Sequence, residues 1–169
     1  MPASAQGDAA DPGRPGLAPG PEASRCFGFE VDFVAGWRCI PLCLRRKLDL
    51  AGIKLKLGHW IELSRSERQE LVDWPDDAAA LNAMALHLRE RSTGMANGRV
   101  KDLPVATGEP WSGGVLPDAV RQGAVACGQP ISPAQWTALS ELERFALCKL
   151  ARPGHDHHNL PRALAEFLD

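Results

Sequence analysis

The sequence predicts an all-α protein: two copies of a three-helix unit related by internal duplication, a linking helix, a C-terminal helix and at most one short N-terminal strand. Three observations lead there. Residues 40–74 lie over residues 116–150 at a constant offset of 76 without a gap, and nine of the 35 pairs are identical. The identities are Pro41/Pro117, Arg45/Arg121, Gly52/Gly128, Trp60/Trp136, Leu63/Leu139, Ser64/Ser140, Glu67/Glu143, Arg68/Arg144 and Leu71/Leu147. Helix-start signals recur in both copies, and short apolar stripes alternate with Gly and Pro.

The chain has 169 residues with 19 Lys+Arg against 21 Asp+Glu, a net charge of −2. That suits one folded domain and argues against a protein whose main task is gripping nucleic acid. No apolar run reaches the roughly 18 residues of a membrane helix. Five Cys without disulfide-like spacing point to reduced thiols in the cytoplasm. Residues 1–25 hold five Pro, four Gly and six Ala, so they read as a disordered tail without a secretory signal. Residues 26–169 then form a single helical domain, with repeat 1 at about 40–75 and repeat 2 at about 116–153.

Taking the elements in order, Phe27, Phe29, Val31 and Phe33 alternate with Gly28, Glu30 and Asp32. The period is that of a half-buried strand, paired with Leu103–Val105, or of an extended arm laying its rings across helices. Pro41 and Pro117 open the first helix of each copy. The stripe Ile40, Leu44, Leu48, Ala51 follows, and Gly52 or Gly128 stops the helix at a left-handed cap. A short second helix carries the Trp, opened in copy two by Ser132-Pro133-Ala134-Gln135, and the third starts at the capping boxes Ser64-x-x-Glu67 and Ser140-x-x-Glu143. Pro75 and Pro153 are stops. Asp76 or Asp77 caps a linking helix with the face Leu81, Met84, Ala85, Leu88. Residues 92–114 form a connector, and Pro161 opens a last helix burying Leu164, Phe167 and Leu168.

The candidate chemistry divides into three groups. Cys39 and Cys43 could lie on one helix face and join Cys26, Cys127 or Cys148 around a metal or cluster, but the repeat partners of Cys39, Cys43, Cys127 and Cys148, which are Val115, Ala119, Ala51 and Val72, are small and apolar, as suits packing thiols. His155, His157 and His158 with Asp156 could meet a divalent ion, yet they fall in a loop without paired helical spacing. His59 and His87 stand alone. No nucleophile elbow, P-loop, dinucleotide fingerprint or zincin motif is present. The charges are uneven: residues 38–56 carry Arg38, Arg45, Arg46, Lys47, Lys54 and Lys56 against Asp49, whereas six acids face two Arg over residues 62–77. The basic run is either a solvated face or a docking surface for an acidic partner or a phosphate-bearing ligand.

Several ordered motifs resemble the nitrate reductase associated protein family. They are Phe29-x-x-Asp32-Phe33, Arg38-Cys39-Ile40-Pro41, Arg45-x-Lys47-Leu48-Asp49, Gly52-Ile53-Lys54-Leu55, Trp60 and Glu67-Arg68-Gln69-x-Leu71. In the second half Pro110-Trp111, Pro130-Ile131-Ser132, Gln135-Trp136, Arg144-Phe145-Ala146-Leu147, Arg152-Pro153-Gly154-His155 and Leu160-Pro161 agree. The Met/Ala-rich middle helix and His157-His158 depart from the pattern. The resemblance implies a cytoplasmic, non-catalytic accessory or maturation factor of assimilatory nitrate reductase, an enzyme with a molybdopterin-type cofactor and an iron–sulfur cluster. It implies no catalytic residue and no cofactor of the chain's own. Docking is then expected through Arg38, Arg45, Arg46, Lys47, Lys54, Lys56, Arg152 and His155. The alternatives are a carrier for a phosphate-bearing, molybdopterin-type cofactor, an electron-transfer protein using the Cys, and a generic helical scaffold.

Overall fold

A computed structural model describes residues 22–106, 110–112, 114–152 and 157–168. The tail to residue 21, Pro153, His155 and Asp156 lie outside the described residues. The chain divides into two compact units, Met1–Ala106 and Thr107–Asp169. In unit 1 the helices are α1 (Val31–Val34), α2 (Leu42–Ala51), α3 (Leu57–Glu62), α4 (Arg65–Val72) and α5 (Ala78–Arg91), with strands β1 (Ile53–Lys54) and β2 (Lys101–Asp102). Unit 2 holds α6 (Asp118–Ala126), α7 (Pro133–Ala138), α8 (Glu141–Leu150) and α9 (Leu160–Leu168). No helix among the described residues is long and apolar enough to cross a membrane.

The starts of α2, α3 and α4 fall 76 residues before those of α6, α7 and α8, the offset seen in the sequence. Local chemistry explains the coincidence. Ser64 accepts from the Glu67 amide and Ser140 from the Glu143 amide, both at 3.1 Å, while each carboxylate reaches back to its cap residue. Ser132 and Gln135 close the same box on α7. Gly52 and Gly128 take φ of +74° and +76°, which only glycine adopts without strain. A Cβ at Gly52 would also stand 2.9 Å from the Leu103 carbonyl.

The second helix of each set has only six residues, too few to be stable by itself. An arginine on the third helix holds it. Arg68 donates to the carbonyls of Trp60 (3.0 Å), Ile61 (2.9 Å) and Trp37 (3.3 Å). Arg144 likewise donates to Trp111 (3.0 Å), Trp136, Thr137 and Leu139. These carbonyls include ones that a helix leaves without partners at its C-terminus. Trp60 and Trp136 sit at the two cores, each fully buried. The Trp60 indole donates to the Trp37 carbonyl at 2.7 Å. Trp37 carries a φ of +59°, a conformation costing a bulky residue about 1–3 kcal/mol, and its carbonyl serves both Trp60 and Arg68.

The expected N-terminal strand is absent. Residues Gly28–Glu30 form a 3₁₀ turn that runs into α1, with a further turn at Ala35–Trp37. The alternation placed Glu30 on the solvent side, whereas its carboxylate is buried and accepts from the Phe27 and Leu42 amides, both at 2.9 Å. Coiling the segment brings those two amides to one side chain and stacks Phe27 on Phe29 at 5.6 Å. The sheet among the described residues is instead the antiparallel β1–β2 pair, with Ile53 opposite Asp102 and Lys54 opposite Lys101. The Leu103–Val105 segment does run beside a partner, the end of α2: Leu103 donates to the Gly52 carbonyl at 2.8 Å. Leu81, Met84, Ala85 and Leu88 of α5 are buried as expected, and Asp77 caps the helix. In α9, Leu164 is buried with Leu160 and Ala163, but Phe167 and Leu168 are only half-buried because the last turn runs off the core.

Two expectations follow for stability. Trp60→Phe should lose more stability than Trp136→Phe by about 1 kcal/mol in urea melts, because the Trp60 indole N–H has an acceptor and the Trp136 one has none among the described residues. Equal losses would contradict that assignment. Glu67 is held down at about 2 by the Arg91 guanidinium, 2.6 Å away, and then by the Ser64 amide. Its native pKa lies below its ordinary 4.5, so its contribution is complete above that pH and is lost as pH falls toward 2. Melts of Glu67→Gln should therefore fall short of wild type at neutral pH and converge with it near pH 2.

Candidate functional site

The basic run 38–56 starts at the entry to α2 and ends at the N-cap of α3, and the fold sorts its cations into two kinds. On α2 the buried stripe is wide enough to take in Arg46 and Lys47. Lys47 is completely buried, and its ammonium donates to the carbonyls of Leu71 (3.2 Å), Val72 (2.6 Å) and Trp74 (2.9 Å). It caps the C-terminus of α4, where a cation meets the negative end of the helix. Burial pushes its pKa down, opposed by nearby Cys43 and acidic groups. Arg46 is nearly buried and pairs with Asp76 at 3.1 Å. Neither residue belongs to an exposed docking face, which corrects the expectation for both. A run of cations in sequence cannot reveal which of them a helix turns inward.

The remaining members are exposed. Arg38 stands at the turn before α2, where its guanidinium donates to the Asp32 carbonyl. Arg45 lies on the outer face of α2. Lys54 points outward from β1 because its neighbour Ile53 points into the core. Lys56 is the N-cap of α3. The β1–β2 register then adds Lys101, directly opposite Lys54, and the loop before it supplies exposed Arg99. Sequence reasoning missed both residues, since only the strand pairing joins them to the basic run. Arg152 is exposed in unit 2, and the position of His155 lies outside the described residues.

His59 ties this region together. Its Nδ1 accepts from the Lys56 amide at 3.0 Å and its Nε2 lies 2.8 Å from the Gly98 carbonyl, which fixes a neutral ring protonated on Nε2. Gly58 abuts Asn97, and Glu62 accepts from the Ala96 amide at 3.0 Å. The 96–102 segment is thus stitched along α3, and Ser92 anchors its far end by donating to Leu88 and accepting from Val100.

The cysteines are free thiols. Cys26 and Cys43 are buried in contact with each other, and that hydrogen bond together with burial pushes Cys26 far above the ordinary thiol range. Burial pushes Cys148 up to about 11. Thiols held this way are poor nucleophiles at neutral pH. Among the described residues no three His, Cys, Asp or Glu are grouped to hold a metal ion.

Unit 2 carries a cleft of about 250 Å³. Trp111 and Phe145, packed edge to face at 4.9 Å, line it with Pro117 and Val120, and Lys149 and Arg152 border it. The Trp111 indole donates to Glu141 at 3.1 Å, and the Lys149 ammonium stands 5.4 Å from the Phe145 ring.

Comparison with protein families matches residues 26–167 to the conserved nitrate reductase-associated protein family. The chain belongs to that family. No curated protein and no solved structure matches it. The match spans both units, so the nitrate reductase-associated domain includes the cationic face of unit 1 and the cleft of unit 2 alike.

The geometry separates structural from surface cations by experiment. Lys47→Met should cost about 2–4 kcal/mol by denaturant unfolding, because the Val72 and Trp74 carbonyls lose this donor and the Leu71 carbonyl keeps only the Trp74 amide. Arg45→Gln, which keeps the stem without placing a carboxylate near Glu30 and Asp49, should cost less than about 1 kcal/mol. Similar costs at the two positions would place Arg45 in the fold as well.

Proposed function

We propose that the chain is a non-catalytic accessory protein of assimilatory, molybdenum-dependent nitrate reductase, serving its maturation or activity from the cytoplasm. The observation that carries this reading is the family match over residues 26–167, whose description is one of association with nitrate reductase. The side chains most suited to chemistry support it, since each is already engaged inside the fold. Lys47 caps α4, Glu67 caps it at the other end and binds Arg91, His59 has both nitrogens bonded, and Cys26 faces Cys43. What unit 1 offers to a partner is a set of exposed cations, Arg38, Arg45, Lys54 and Lys56. Cations on a rigid helical frame steer and orient an acidic protein surface.

The carrier reading, in which the basic run grips a phosphate-bearing cofactor, draws on fewer groups than the sequence offers because Arg46 and Lys47 are engaged in packing. The matching helix starts, glycine caps and arginine-held second helices also favour descent of the two units from one duplicated ancestor.

Co-expression of nitrate reductase with and without the chain tests the role. Nitrate reductase activity should drop severalfold or more without the chain while the amount of reductase protein is unchanged. The triple variant Arg45→Glu, Lys54→Glu, Lys56→Glu should fail to restore activity although its helicity is intact. Full activity without the chain would overturn the reading.

A further inference from the structure

The two helix sets are internal controls for each other. Their buried positions correspond, with Trp60 matched by Trp136, Leu63 by Leu139 and Leu71 by Leu147. Their exposed positions around the second helix do not. Where unit 1 has Lys54, Lys56, Leu57 and Ile61, unit 2 has Pro130, Ser132, Pro133 and Thr137. Leu57 and Ile61 are 49% and 59% exposed and four apart on α3, so they share a face. Single exposed aliphatics are ordinary; here two share one face beside a cluster of cations.

The cluster is also electrostatically unfavourable in isolation. Lys54 and Lys101 are directly opposite on the β1–β2 ribbon, an arrangement that puts like charges about 5 Å apart at Cβ and destabilises the pair. Lys56 lies two residues on, and Arg99 follows Gly98, whose carbonyl is joined to His59 of α3. No carboxylate pairs with these four cations among the described residues. Two acids of the same region are engaged elsewhere: Asp102 pairs with Arg89 at 3.1 Å, and Glu62 accepts from the Ala96 amide.

We propose that the α3 surface and the β1–β2 ribbon, through Lys54, Lys56, Arg99, Lys101, Leu57 and Ile61, form a docking site for an acidic protein segment that also carries aliphatic side chains. Carboxylates relieve the lysine repulsion, and the aliphatic groups cover Leu57 and Ile61. A nucleic acid fits less well, because the patch offers no exposed aromatic ring for base stacking and the whole chain is net negative. The site narrows the docking face proposed above, and it rests on that reading only for which protein supplies the segment.

The test uses the full chain and a labelled 15-residue helical peptide rich in Glu with two Leu four apart, followed by fluorescence anisotropy at low salt. The peptide should bind, a Gln-for-Glu version should not, and a Ser-for-Leu version should bind at least threefold more weakly. Lys54→Glu and Lys101→Glu should each weaken binding at least tenfold, and Arg121→Glu on unit 2 should leave it unchanged. Each ribbon variant replaces a repulsive cross-strand pair by an attractive one, so its melting temperature should hold or rise by about 1–4 °C. A merely structural lysine would instead lose stability on substitution. Equal binding of the Gln and Glu peptides, tighter binding of a single-stranded oligonucleotide, or a dimer of the chain abolished by Lys54→Glu would each overturn the proposal. Peptide binding as expected together with nitrate reductase activity indifferent to the chain would support this site and overturn the accessory role.

Discussion

A helix of six residues closes too few hydrogen bonds to repay the ordering of its own backbone, and both units are built around such a helix. What makes this possible is one arginine per unit, Arg68 or Arg144, reaching from the third helix to the carbonyls at the end of the second. The same guanidinium also takes the carbonyl of a tryptophan that precedes the first helix, Trp37 or Trp111. Three separated pieces of chain therefore meet at one planar, multi-donor group, a task that the single ammonium of lysine could not perform in the same geometry. The buried Trp60 and Trp136 fill the space this crossing leaves.

From that shared frame the units diverge in an instructive way. At the position where α2 carries Lys47, α6 carries Gly123. Lys47 reaches across to the end of α4, whereas the space above Gly123 is taken by Leu160 of α9, whose methyl would lie 2.8 Å from an added Cβ. Each unit thus uses the same helix to hold a different neighbour, α4 by a buried charge or α9 by close apolar contact. The exposed surfaces differ too, with cations and aliphatics around α3 and proline and small polar residues around α7.

The helices were legible because their signals are local. Ser64, Ser132 and Ser140 with their Glu or Gln partners, and Gly52 and Gly128, each act within four residues, and the fold has them where the sequence puts them. The N-terminal segment was misread because period-two alternation assumes that Glu30 seeks water. Its carboxylate instead satisfies two buried amides, one of them twelve residues away, and no local pattern encodes that. The candidate surface was legible only in part for the same reason. Lys54 and Lys56 stand in the basic run, but Arg99 and Lys101 join them through a strand pairing across more than forty residues, and Lys47 leaves through a long-range cap.

On the proposed reading, unit 1 presents the surface that meets nitrate reductase and the corresponding face of unit 2 does not. Hydrogen–deuterium exchange of the full chain, alone and with purified nitrate reductase, addresses it directly. Docking on unit 1 should slow exchange over residues 53–61 and 99–103 and leave residues 130–137 unchanged. Slowing over residues 130–137 or along the unit 2 cleft, with residues 53–61 unaffected, would contradict it.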